Sequence, residues 1–120
     1  MSYTVLLCDD AVFIRTMIGG IVAQAGFEVV GEAENGREAV EQYGRLQPDV
    51  VVLDIVMPDM SGLEALREIR KANPEACVVM CSAMGQQRLM EEALAEGARG
   101  FIVKPFHPSR VVEALTDAMN

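Results

Sequence analysis

Residues 49–58 read DVVVLDIVMP, and this stretch decides the fold. The run from Val50 to Leu53 is apolar at every position, which is typical of a strand buried on both faces of a parallel sheet. The run ends at Asp54, where a carboxylate follows the apolar side chains. Short apolar runs recur along the chain, so strands are predicted at residues 3–8, 28–32, 49–53, 77–81 and 100–103.

Helical patterns lie between these strands. We expect helices to begin near residues 12, 35, 61, 86 and 108, and the capping box of Ser61 and Glu64 marks the third. The inward stripe of the first helix is predicted to comprise Val12, Met17, Ile18, Ile21, Val22 and Ala25. Gly19 and Gly20 fall on its outward face, either as a tolerated flaw or as a place where a partner helix approaches.

The alternation of strands and helices predicts the fold class. It indicates an α/β, flavodoxin-like (βα)5 architecture, in which a doubly wound parallel sheet of five strands has the order 2-1-3-4-5. A chain of 120 residues can bury a core of its own, so a single domain over residues 1–120 is expected.

Charge and cysteine content limit the classes of partner. The chain has 10 Lys and Arg against 18 Asp and Glu, a formal net charge of -8, which disfavours binding to nucleic acid and to anionic membranes. Neither a signal peptide nor a membrane span is recognisable at the N-terminus. Its 3 cysteines cannot all pair within one chain and suit a reducing compartment. We therefore expect a cytoplasmic monomer whose partners are proteins or cations.

Five polar residues follow predicted strands: Asp9, Asp10, Asp54, Ser82 and Lys104. Because open parallel sheets bind ligands beyond the carboxyl ends of their strands, these side chains should converge. Carboxylates about 4 Å apart repel by about 4 kcal/mol at an effective dielectric constant of about 20, so the cluster needs a cation. Oxygen ligands without His or Cys favour Mg²⁺, and the combination indicates phosphoryl transfer.

Each of these residues has an expected chemical role. Asp54 stands alone at its strand end and is the predicted nucleophile, whereas Asp9 and Asp10 form a pair suited to holding metal. The hydroxyl of Ser82 would donate to a phosphate oxygen, and the ammonium of Lys104 would neutralise the same group.

The motifs at these positions carry a family resemblance. They are DD at 9–10, D-x-x-M-P at 54–58, S-A at 82–83 and K-P-F at 104–106. Over its whole length the chain resembles the receiver domains of two-component response regulators, and is most similar to stand-alone chemotaxis regulators. The resemblance implies that Mg²⁺, or Mn²⁺ in its place, is held by Asp9, Asp10, Asp54 and the backbone carbonyl of Val56.

The resemblance also implies partners and a switch. A chemotaxis histidine kinase would phosphorylate Asp54, and the output would be contact with a flagellar motor switch protein or a phosphatase. Ser82 and Phe101 would form the switch, with Ser82 moving inward as the ring of Phe101 rotates. The expected partner surface comprises Met84, Gln87, Met90 and Phe101. Phe101 stands where relatives often have Tyr, so its two rotamers should differ mainly in packing.

Other functions compete with this one. A phosphorelay intermediate that passes phosphate to a histidine phosphotransferase is one alternative, and a receiver cut from a transcription factor is another. A small-molecule phosphatase with a carboxylate nucleophile would carry a second acid two residues after it, where this chain has Val56. A flavin or nucleotide binder would need a glycine-rich phosphate loop after the first strand, where this chain has carboxylates.

Overall fold

Strands and helices alternate along the chain in the computed structural model, which describes residues 2–120. These residues form β1 Thr4–Cys8, α1 Val12–Gln24, β2 Glu28–Ala33, α2 Gly36–Leu46, β3 Val50–Asp54, α3 Gly62–Ala72, β4 Val78–Ala83, α4 Gln87–Ala95, β5 Gly100–Lys104 and α5 Pro108–Met119. Every predicted strand and helix is present, and the predicted bounds agree with the observed ones to within two residues. None of the helices in residues 2–120 combines the length and the apolar character that a membrane span requires.

The strands form one parallel sheet in the order β2-β1-β3-β4-β5, which confirms the predicted topology. Its register aligns the carboxyl ends of the central strands: Cys8 pairs with Leu53, and Asp54 pairs with Cys81. On the edge strand, Ala83 of β4 pairs with Lys104 of β5. The polar residues at or next to the carboxyl ends of β1, β3, β4 and β5 therefore lie along a single edge of the sheet.

Alternate residues of the strands enter separate cores on the two faces of the sheet. Leu6, Leu53 and Met80 pack with α2, α3 and α4, whereas Val5, Leu7 and Val79 pack with α1 and α5. Side chains on both faces are almost fully buried, as the apolar runs predict. Because helices pack on both faces, the sheet holds the residues of its polar edge in fixed positions.

Two local features place α3 against the end of β3. Ser61 caps the helix by accepting from the N–H of Glu64 at 3.2 Å, while the Glu64 side chain accepts from the N–H of Ser61, which confirms the capping box. The next residue must be glycine, because a Cβ at Gly62 would lie 2.0 Å from the carbonyl oxygen of Asp54. Gly62 thus allows α3 to begin directly beside the strand end that carries Asp54.

The predicted stripe of α1 is partly wrong. Val12 and Met17 are 64% and 38% exposed, and Ala25 lies beyond the end of the helix and is also exposed. The inward face instead comprises Ile14, Ile18, Ile21 and Val22, which keep a cleaner i, i+4, i+7, i+8 spacing.

The two glycines of α1 also differ from each other. A Cβ at Gly20 would meet nothing within 4 Å, so its predicted outward position holds. A Cβ at Gly19 would touch Leu7 of β1 at 3.5 Å, so this glycine faces the sheet and its predicted position is wrong.

Candidate functional site

The three carboxylates predicted to converge do so. Asp9 and Asp10 follow β1 and Asp54 ends β3, and one carboxylate oxygen from each lies within 4.8 Å of the others. Asp9 and Asp54 are buried, with 3% and 6% of their surface exposed, whereas Asp10 is exposed. The cluster is therefore open to solvent on the side of Asp10 and closed behind the other two. Such a set of hard oxygen ligands suits a divalent cation like Mg²⁺.

Lys104 reaches this cluster from β5. Its Nζ lies 2.9 Å from Oδ2 of Asp9 and 3.4 Å from Oδ2 of Asp54. The remaining oxygens are held by backbone: Asp9 Oδ1 accepts from the N–H of Ala11 at 2.9 Å, and Asp54 Oδ1 accepts from the N–H of Val56 at 3.5 Å. Lys104 thus supplies the positive charge to the two buried carboxylates.

Burial raises the pKa of Asp54. Loss of water and the nearby charge of Asp9 raise its pKa from 3.8 to about 6, although Lys104 and the N–H of Val56 act in the opposite direction. Burial would lower the pKa of Lys104, but its hydrogen bond to Asp9 and the charges of Asp54 and Asp9 outweigh this and raise it. A second cation in the cluster would favour the ionised form of Asp54, which is the nucleophilic one.

Ser82 lies on β4 at the same edge, but its hydroxyl points elsewhere. Ser82 is 1% exposed, and its Oγ donates to the sulfur of Met90 at 2.9 Å. The predicted role, donation to a phosphate oxygen, would need a different rotamer of the same side chain. In this structure the hydroxyl is directed toward α4.

The predicted partner surface is only partly on the surface. Met84 is 74% exposed, Gln87 is exposed and Phe101 is half-buried, and together with Leu94 they line a pocket of about 610 Å³ between α4 and β5. Met90 was expected on the outer side of α4, and this placement is wrong, because only 7% of its surface is exposed. Met90 and Ala93 are spaced by three residues and form the inward face of this short helix.

One supporting residue was missed at the sequence level. The side chain of Arg15 on α1 is only 12% exposed. Its Nη1 donates to the carbonyl oxygen of Asp9 at 2.5 Å, and its Nε donates to Glu32 at 2.7 Å. Arg15 thereby ties the loop that carries Asp9 and Asp10 to the end of β2. The signal available in the sequence was a lone arginine in the first turn of the first helix, five residues after the acidic pair.

The comparison with known families agrees with this geometry. Residues 5–116 match the model of the response regulator receiver domain. The chain belongs to the response regulator receiver family. As a receiver domain of the CheY-like chemotaxis type, it is a signalling protein and not a classical enzyme.

Named relatives are similar over nearly their whole length. The chemotaxis protein CheY of Thermotoga maritima is 57% identical over 115 residues, which is 96% of each chain. The CheY of Bacillus subtilis is 50% identical over 120 residues, 100% of each chain. Among solved structures, a chain of the CheX–CheY–BeF3–Mg²⁺ complex from Borrelia burgdorferi has a TM-score of 0.94 and 35% identity, covering 98% of this receiver domain and 90% of that chain.

Proposed function

We propose that Asp54 accepts a phosphoryl group from a histidine kinase and that this changes which protein the domain binds. The observation that supports it is the pair of contacts from Lys104 to Asp9 and Asp54, 2.9 and 3.4 Å long, beside an open acidic cluster. The ammonium is placed to neutralise charge on a group attached to Asp54. An oxygen of Asp54 forms a bond to phosphorus as the phosphorus–nitrogen bond of the donor breaks, and the electron pair stays on the histidine nitrogen.

Mg²⁺ is the proposed cofactor, and Mn²⁺ has the same ligand preferences. Asp9, Asp10 and Asp54 would hold it together with the backbone carbonyl of Val56, and their oxygen-only donor set fits such an ion. When bound, the ion would neutralise charge that develops on the phosphoryl oxygens. Asp10 is exposed, so the site would remain open to water and to a phosphoryl oxygen on the side of this residue.

The proposed partners are a chemotaxis histidine kinase as donor and a flagellar motor switch protein or a phosphatase as receiver of the signal. Residues 1–120 would act as one receiver domain, in the cytoplasm and as a monomer. The named relatives are chemotaxis proteins, and the Borrelia complex joins a CheY to CheX. The competing role is transfer of the phosphoryl group onward to a histidine phosphotransferase. In that case the phosphoryl group would leave Asp54 and appear on the phosphotransferase.

Intact mass spectrometry tests the assignment of Asp54. Incubation with acetyl phosphate and Mg²⁺ should add about 80 Da, the mass of one phosphoryl group, and chelation of the metal should prevent the gain. Asp54→Ala should show no gain. Asp59→Ala is a suitable control because Asp59 is an exposed carboxylate paired with Arg37, outside the cluster, and it should label normally. A gain that persists in Asp54→Ala would refute the assignment.

The lifetime of the aspartyl phosphate should be long. Val56 and Met84 flank the site with apolar side chains that are 51% and 74% exposed, so neither can orient the water needed for hydrolysis. Val56→Asn and Met84→Glu should therefore release phosphate faster than the wild type, measured after removal of the donor. If neither variant accelerates release, the apolar side chains do not set the lifetime.

A further inference from the structure

The hydroxyl of Ser82 is held by a residue that the sequence motifs do not include. Its Oγ donates to Sδ of Met90 at 2.9 Å, in an environment where both residues are buried. Met90 belongs to the inward face of α4, eight residues along the chain from Ser82. This hydrogen bond is therefore a direct link between the strand end at the acidic cluster and the helix beside the pocket.

A serine hydroxyl has a single proton to donate. Donation to the thioether of Met90 and donation to a phosphoryl oxygen on Asp54 are consequently alternatives. The inward movement of Ser82 must break the bond to Met90 before it can form the new one. A thioether is a weak acceptor, so breaking this hydrogen bond costs only a modest free energy.

Met90 also lines the pocket between α4 and β5, together with Phe101 and Leu94. When Ser82 releases it, the flexible Met90 side chain can take up another rotamer against these neighbours. The same event that completes the phosphoryl site would then reshape the wall of the pocket.

We infer that Met90 is a positioning residue that holds Ser82 away from Asp54 and so sets how readily the domain enters its phosphorylated state. This inference rests on the proposed function of Asp54 and names a regulator of that site. The thioether acts as the acceptor in the resting state, and the loss of that bond is part of the cost of activation.

Beryllofluoride, which mimics a phosphoryl group, provides the test. Its apparent dissociation constant at saturating Mg²⁺ can be read by NMR from the backbone amide of Ala83. Met90→Leu keeps the volume but has no acceptor, so it should lower the constant by about two- to fivefold, the equivalent of one modest hydrogen bond. Met90→Gln offers a stronger acceptor and should raise the constant. A role in packing alone would move both variants in the same direction.

The control variant is Met80→Leu, because Met80 is a methionine on β4 that is 1% exposed in the same core cluster. It should change stability without changing beryllofluoride affinity. In a Ser82→Ala background, the effect of Met90→Leu on affinity should disappear, since no hydroxyl remains to be held.

Four results would overturn the inference: unchanged affinity in Met90→Leu, changes in the same direction in Met90→Leu and Met90→Gln, an equal change in Met80→Leu, or an effect that persists without the Ser82 hydroxyl. Failure of the wild type itself to bind beryllofluoride would instead refute the proposed function of Asp54, and this inference with it.

Discussion

Replacing Asp54 by asparagine is expected to stabilise the metal-free protein at neutral pH. Asp54 is buried beside Asp9, and its pKa is raised from 3.8 to about 6. Because the folded pKa lies above the unfolded one, the free-energy cost of this carboxylate is absent below about pH 4, grows as the pH rises to about 6, and is complete above that. The difference between the two values corresponds to about 3 kcal/mol at pH 7 and above.

The geometry bears on the second cause of this shift, the charge of Asp9, which ranks after burial. Two unit charges no more than 4.8 Å apart repel by about 3 kcal/mol at an effective dielectric constant of about 20, before the offset from Lys104. We therefore expect Asp54→Asn to raise the free energy of unfolding by about 2 kcal/mol at pH 7.5. The gain should fall toward zero near pH 4.

Urea denaturation followed by far-ultraviolet circular dichroism is the appropriate assay, because the chain has no tryptophan. Asp117→Asn removes the same charge from an exposed position on α5 and should change the free energy by no more than about 0.5 kcal/mol. Saturating Mg²⁺ should stabilise the wild type more than Asp54→Asn, so the difference between their free energies of unfolding should become smaller. If Asp54→Asn is no more stable than the wild type at pH 7.5, or if the difference does not depend on pH, the electrostatic account is wrong.

Three further substitutions probe the supports of the site. Gly62→Ala places a Cβ against the Asp54 carbonyl and should cost at least about 2 kcal/mol of stability in the same urea assay, whereas Gly20→Ala, in open space on α1, should add up to about 1 kcal/mol. Equal effects would contradict the steric argument. Ser61→Ala removes the cap of α3 and should cost about 1 kcal/mol, and an unchanged unfolding midpoint would argue against the capping box. Lys104→Met removes the cation between the carboxylates, so an NMR titration should place the pKa of Asp54 above its value of about 6, and a lower value would exclude the proposed charge pairing.

The convergence of the polar residues was predictable because parallel strands place their carboxyl ends at one edge. The run from Val50 to Asp54 shows this best, since a strand buried on both faces carries an unambiguous apolar signal that stops at its last residue. The Ser61 cap of α3 was predictable for a similar reason, because its hydrogen bonds join residues only three apart in the sequence.

The misassigned residues lie in helices with more than one possible apolar face, and the face that packs inward depends on the rest of the fold. Val12 and Met17 are apolar but face outward, because the face of the helix that carries Ile14 and Ile18 packs against the sheet. Met90 was placed outside because a nine-residue helix offers too few turns to define its inward face.

The direction of a side chain is the other property that the sequence could not predict. The pattern identified Ser82 as a site residue, but only the structure shows that its hydroxyl bonds to Met90. The position of Arg15 near the acidic pair was visible in the sequence, but its contacts were not, because its partners are a backbone carbonyl and a residue of β2.

The contact between Lys104 and Asp9 has a consequence for the order of assembly. It joins residues 95 positions apart, and the contact with Asp54 spans 50 positions. Both must wait until the last strand adds to the edge of the sheet, a late and entropically costly step of loop closure. We expect a nascent chain that still lacks β5 to hold its carboxylates without their cation. The domain would thus become competent to receive a signal only when its folding is almost finished.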